Sequence, residues 1–159
     1  FFLIFSFYSV FLIRNDLNEN NLYNFLILII ICISTDLGGY VFGKTFKGPK
    51  LTKISPNKTY AGMVGSFLLP IILFYVLSEN IYIKYSYNLN SKIIIFIILV
   101  SAVSQIGDLI ISYFKRISKV KDTGKIIPGH GGLLDRIDGM IFAFPFSYLI
   151  MTTNNINIL

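Results

Sequence analysis

Charge is scarce in this sequence. Asp, Glu, Lys and Arg make up only 14% of its 159 residues, against 54% hydrophobic and 16% aromatic, whereas an ordinary soluble domain carries about 25% charged residues. With a mean hydropathy of +0.69 and long uncharged stretches, the chain has too little polar surface to coat a water-soluble globule, and it is too apolar to be disordered. Cysteine is limited to Cys32, inside an apolar run, which excludes an intramolecular disulfide and a cysteine-based zinc site. Residues 1–13 are apolar from Phe1 onward and lack both a basic leading region and a small-residue cleavage site. They read as the remnant of a longer hydrophobic segment rather than a secretory signal, and the chain is expected to be a fragment of a longer one. No internal repeat appears at solenoid periods.

Long apolar stretches are plentiful. After residues 1–13 come 22–42, 61–83, 91–114 and 137–153. A bilayer's hydrocarbon needs roughly 20 helical residues; the segments at 22–42 and 91–114 reach that length outright, and the other two suffice if tilted or slightly shortened. The β-branched run 93–98 has strand character, but turn signals are too far apart for a sheet. The expected fold is an all-α integral membrane protein, a polytopic transmembrane helix bundle of about five helices forming a single domain over 1–159. Basic loops are expected at about 43–60 and 115–136.

The distribution of the net charge of +6 indicates what it is for. Lys44, Lys47, Lys50, Lys53 and Lys58 lie between the second and third segments, and Lys115, Arg116, Lys119, Lys121, Lys125 and Arg136 between the fourth and fifth, eleven of fourteen basic residues in all. Loops two apart share a side, so the positive-inside rule places both in the cytoplasm. The charge therefore suits a membrane face rather than nucleic acid.

Carboxylates inside membrane helices cost about 2.5–3.5 kcal/mol each on insertion scales, so each needs a reason. Asp36 lies near the end of the second segment, Asp108 inside the fourth, and Asp135 and Asp138 at the start of the fifth. The derived topology brings all four toward the cytoplasmic leaflet, with Asp108 about 10 Å into its helix at ~1.5 Å per residue before Lys115. The ordinary reading is ion pairing that orients helices; for Asp36, beside the flexible Gly38 and Gly39, that reading stands level with a functional one. Hard oxygen donors in such a cluster suit Mg²⁺, which takes one or two carboxylates and completes its shell with phosphates and water. Ser55, Lys58 and Thr59, before the third segment, form a phosphate site if a helix starts there. Residues 38–45, GGYVFGKT, satisfy the P-loop pattern, but Tyr40, Val41 and Phe42 inside it and Gly48-Pro49 after it do not suit a flexible loop leading into a helix. That motif is rejected.

The second basic loop is the most informative. Lys115, Arg116, Lys121 and Lys125 offer phosphate contacts, Gly129, Gly131 and Gly132 allow close backbone approach, and His130 between glycines has little to pack on. Here the sequence resembles the phosphatidate cytidylyltransferase family, also called CDP-diacylglycerol synthases. The signature S-x-x-K-R, K-D, P-G-H-G-G, D-R-x-D is met by Ser112, Lys115, Arg116, Lys121, Asp122, Pro128, Gly129, His130, Gly131, Gly132, Asp135, Arg136 and Asp138. Asp36, Gly39, Tyr40 and Gly43, residues 54–59 (ISPNKT), and Gly107-Asp108-Leu109 are similar to further family motifs. The likeness runs from about residue 22 to 151, the C-terminal half of a typical member. The family usually has Glu, Glu and Ser where this chain has Ala61, Ile111 and Gly139.

The resemblance implies conversion of CTP and phosphatidate to CDP-diacylglycerol and pyrophosphate, for phospholipid biosynthesis, by a multi-pass enzyme of a bacterial inner membrane whose active site faces the cytoplasm. It implies Mg²⁺, alone or with a second cation, held by Asp108, Asp135 and Asp138. It further implies phosphate binding by Lys58, Lys115, Arg116, Lys121 and Arg136, and substrate positioning by Ser55, Thr59 and Asp122. His130 and Gly131 join the substrate site, membrane lipid is a partner, and a homodimer is left open. The alternatives are a CTP-dependent polyprenol kinase, a related lipid cytidylyltransferase, and, from a different class, an ion transporter using intramembrane aspartates.

Overall fold

The computed structural model describes residues 1–15, 21–52, 55, 58–80, 90–120, 122–124, 132 and 134–153. They form α1 (Phe2–Asn15), α2 (Asn21–Phe46), α3 (Tyr60–Asn80), α4 (Ser91–Ile117), the single turn α5 (Leu134–Ile137) and α6 (Met140–Thr153). Helices follow from the solvent: lipid offers the backbone no hydrogen bonds, so apolar segments satisfy theirs internally. The stretches Leu22–Phe46, Tyr60–Ser78 and Ser91–Ile117 are each long and apolar enough to cross a membrane. Among the described residues the protein is an all-helical membrane protein with five main helices, as the apolar segments predict. Large side chains such as Ile33, Leu68, Ile72 and Ile95 face outward, where lipid rather than water is their solvent.

Successive helices alternate in direction. The C-terminal ends of α2 and α4 and the N-terminal ends of α3 and α6 therefore share one end of the bundle, called the basic end below. The core, built on Ile13, Leu28, Ile31, Ile97, Val100 and Phe144, lies away from that end.

The most extensive contact joins α2 to α3, and glycines set its closeness. A Cβ on Gly38 would collide with the Gly65 carbonyl oxygen, and one on Gly62 would sit 2.7 Å from the Gly39 carbonyl oxygen. Small residues at helical spacing let backbones touch, the main source of helix association in lipid. The flexibility expected of Gly38 and Gly39 is therefore replaced by tight packing within a continuous helix. Residues 38–45 are helical throughout, so the P-loop pattern has no loop.

The fifth apolar segment departs from a single span. Its helix breaks at Asp138-Gly139, leaving α6 with 14 residues, about 21 Å at 1.5 Å per residue. The Asp138 carboxylate accepts the Gly139 amide at 2.9 Å, a local bond that competes with helix continuation. Gly139 is also pressed against α4, where an added Cβ would lie 2.5 Å from Ser104 Oγ. Within α6, Pro145 has no amide to give the Ile141 carbonyl. The Ser6 hydroxyl of α1 donates to that carbonyl at 2.8 Å.

Candidate active site

At the basic end, α2, α3 and α4 and the α5–α6 junction surround a cavity of about 340 Å³ lined by Asp36, Asp108, Asp135 and Asp138, together with Ser55, Lys58 and Thr59. Convergence of the four carboxylates follows from the chain path. Asp36 sits ten residues before the end of α2 and Asp108 nine before the end of α4; these two helices run in the same direction, so both carboxylates fall at one depth.

The approach to α3 folds back on itself. Lys50 and Thr59 form an antiparallel bridge, and the Leu51 amide donates to the Lys58 carbonyl at 2.7 Å. Thr59 caps α3: its Oγ1 accepts the Gly62 amide at 3.1 Å, satisfying one of the helix's orphan donors. That fold-back delivers Lys58 to the cavity, where its ammonium ion-pairs with Asp108. Ser112 Oγ approaches the other Asp108 oxygen at 3.4 Å.

A second charged group lies beside the first. Lys115 Nζ is 3.0 Å from Asp135 Oδ1 and 3.6 Å from Asp138 Oδ2. Asp135 Oδ2 accepts the amides of Thr123 at 2.9 Å and Gly132 at 2.8 Å. Burial pushes the Asp135 carboxyl up, but these amides, Lys115 and the Thr123 hydroxyl outweigh it and hold the group down at about 2. Asp135 therefore stays ionised and pins both ends of segment 123–132. The placement of Asp135 and Asp138 three residues apart on one face agrees with Lys115 reaching both.

Exposure separates the two groups. The Lys58 and Asp108 side chains are 28% and 24% exposed, whereas Lys115 and Asp135 are 13% and 7% exposed. A ligand entering the cavity meets Lys58 and Asp108 first. Asp138 and Asp108 line the same cavity, close enough for each charge to act on the other. Among the described residues no three acidic, His or Cys side chains form a ready-made metal cage. Two facing carboxylates on one cavity are nonetheless the donor chemistry that Mg²⁺ uses when phosphates and water complete its shell.

The other expected residues are placed unevenly. Arg116, whose guanidinium donates to the Val120 carbonyl at 3.4 Å, and the exposed Asp122 are outside the cavity lining. Arg136 is exposed but close enough for its charge to act on Asp36. Lys121, His130 and Gly131 lie outside the described residues. Sequence reading missed Tyr40 as a wall residue, and it missed Ser66 and Gln105 altogether; all three line the cavity. An amide in the apolar middle of α4 was the available signal for Gln105.

The sequence profile of the cytidylyltransferase family matches residues 1–154. The chain belongs to the cytidylyltransferase family. Three similar curated proteins carry the name phosphatidate cytidylyltransferase. The protein of Rickettsia bellii is 40% identical over 141 residues, covering 84% of this chain and 61% of the relative. That of Rickettsia typhi is 44% identical over 126 residues, covering 76% and 55%, and that of Bacillus subtilis 37% over 142 residues, covering 87% and 51%. The chain spans between half and two thirds of the length of the curated relatives it matches. In this member of the family the contact with α4 leaves no free space for a side chain at Gly139: an added Cβ would lie 2.9 Å from the Ser104 carbonyl oxygen as well as against its hydroxyl.

Proposed function

We propose that the protein containing this chain transfers the cytidylyl group of CTP to phosphatidate, giving CDP-diacylglycerol and pyrophosphate, as the names of its relatives suggest. The observation that carries the reading is the cavity at the basic end, where Lys58 meets Asp108 and Lys115 meets Asp135 and Asp138 at the limit of apolar helices. A lipid phosphate and a soluble nucleotide can meet only at such a boundary. The basic loops would face the cytoplasm, in keeping with the positive-inside rule, and a bacterial inner membrane fits the organisms of the relatives.

In the reaction a phosphatidate oxygen attacks the α-phosphorus of CTP as the bond to the β-phosphate breaks. No protein nucleophile is needed, so the protein contributes position and charge. Lys58, the more open of the two lysines, binds incoming phosphate in exchange for part of its hold on Asp108. Lys115 fixes Asp135 and Asp138, and Asp135 in turn holds the Thr123 and Gly132 amides. Thr59, by capping α3, sets where Lys58 points. Asp108 and Asp138 would hold Mg²⁺, with Asp135 beside them; the ion would neutralise phosphate charge in the transition state.

The test uses the full-length protein in lipid with labelled CTP, phosphatidate and Mg²⁺. Nucleotide on the lipid with release of pyrophosphate is the expected result. Release of CDP would instead mark a kinase, and ion flux without CTP a transporter; either outcome overturns the reading.

A further inference from the structure

The wall of the cavity changes character with depth. Gln105 precedes Asp108 by three residues on α4, about one turn or ~4.5 Å further from the basic end. Ser66 lies six residues into α3, and both line the cavity. The Gln105 amide nitrogen is buried and has no hydrogen-bond partner among the described residues. An unpaired donor at membrane depth is costly, and because Gln105 lines the cavity, a ligand seated there is within reach of its side chain. Pro70 also lacks the amide that the Ser66 carbonyl would otherwise accept, so this level of the wall is polar on two helices.

Resting on the function proposed above, we infer that Gln105 is a positioning residue that donates to an acyl ester carbonyl of the lipid substrate. The match is one of depth and polarity. With the lipid's phosphate among Lys58, Asp108 and Asp138, its glycerol and ester carbonyls fall about one helical turn closer to the membrane interior. Those carbonyls are acceptors, and Gln105 Nε2 is a donor without an acceptor. A nucleotide arriving from the basic end keeps its base on the opposite side of the carboxylates. The protein would thus distinguish ester-linked from ether-linked phosphatidate, which differ only in that acceptor.

The experiment measures KM and kcat of the full-length protein for diacyl and dialkyl phosphatidate at saturating CTP, in the native sequence and in Gln105→Met, which keeps the volume and removes the donor. Loss of one hydrogen bond corresponds to about a tenfold rise in KM. The native protein should show that rise on the dialkyl lipid with kcat unchanged. Gln105→Met should show it on the diacyl lipid while leaving the dialkyl value where it was. Equal KM for the two lipids in the native protein overturns the inference and needs no variant that folds. So does an equal effect of the substitution on both lipids, which marks a structural role, or, with CTP varied at saturating diacyl lipid, a rise in KM for CTP, which places the amide at the nucleotide. Each of these results leaves the transferase reading standing. Absence of product from the native protein with diacyl lipid removes that reading and this inference together.

Discussion

Lys115 on α4 and Asp135 on α5, twenty residues apart in the chain, meet at 3.0 Å with their side chains almost enclosed. The contact ties α5 to the end of α4 and places Asp138 3.6 Å from the same ammonium. Removing the cation by Lys115→Met leaves two enclosed carboxylates without their partner. Such a loss typically costs about 3 kcal/mol. A lower unfolding temperature in detergent and loss of nucleotidyl transfer are expected, and an unchanged melting curve would show that the carboxylates find another counter-charge.

Acid should loosen the contacts of Asp135 as well. The Asp135 carboxyl, ordinarily at 3.8, is held at about 2 in the fold, so between those values the unfolded chain binds more protons and stability rises with pH. The contribution is complete above about pH 4 and disappears as pH falls through about 2. Hydrogen exchange at the Thr123 and Gly132 amides should accelerate across that window. In Asp135→Asn the step should be absent, and a step that persists would assign the titration to another group.

Asp108→Asn and Asp138→Asn each remove one of the two facing carboxylates. Each should reduce transfer by about a hundredfold or more and weaken binding of Mn²⁺, used as a probe for Mg²⁺, in the absence of substrate. Normal Mn²⁺ binding in either variant would take that residue out of the metal site.

Close packing between α2 and α3 predicts sensitivity to a single methyl group. In Gly65→Ala the new Cβ meets the Phe42 side chain and lies 2.7 Å from the Gly38 carbonyl oxygen, an overpacking worth about 1–3 kcal/mol. Leu68→Ala, on the outward face of the same helix, should change the melting temperature much less. Comparable effects from both would argue against backbone contact as the cause.

Ser6 and Pro145 should behave as a coupled pair. Ser6→Ala strips the Ile141 carbonyl of its donor, at about 1 kcal/mol. In a Pro145→Ala background the helix can supply its own amide, and the loss should shrink. A double-mutant cycle in unfolding free energy measures the coupling, and strict additivity would contradict the pairing.

The sequence by itself determined the apolar helices, the gathering of basic residues into two stretches and the family motifs, because hydropathy, charge and short spacings are properties of neighbouring residues. It also discounted the phosphate-loop pattern at 38–45, whose bulky residues suit a helix. Tertiary structure alone decided that Gly38 and Gly65 bring two backbones together, that the last apolar segment breaks at Gly139 against Ser104, and that Asp135 pins a loop through two amides. It also decided that Gln105 faces a cavity rather than lipid. Each of these depends on which distant residue lies opposite, and that is fixed only when the helices pack, since periodicity around an apolar helix in lipid does not mark an inner face.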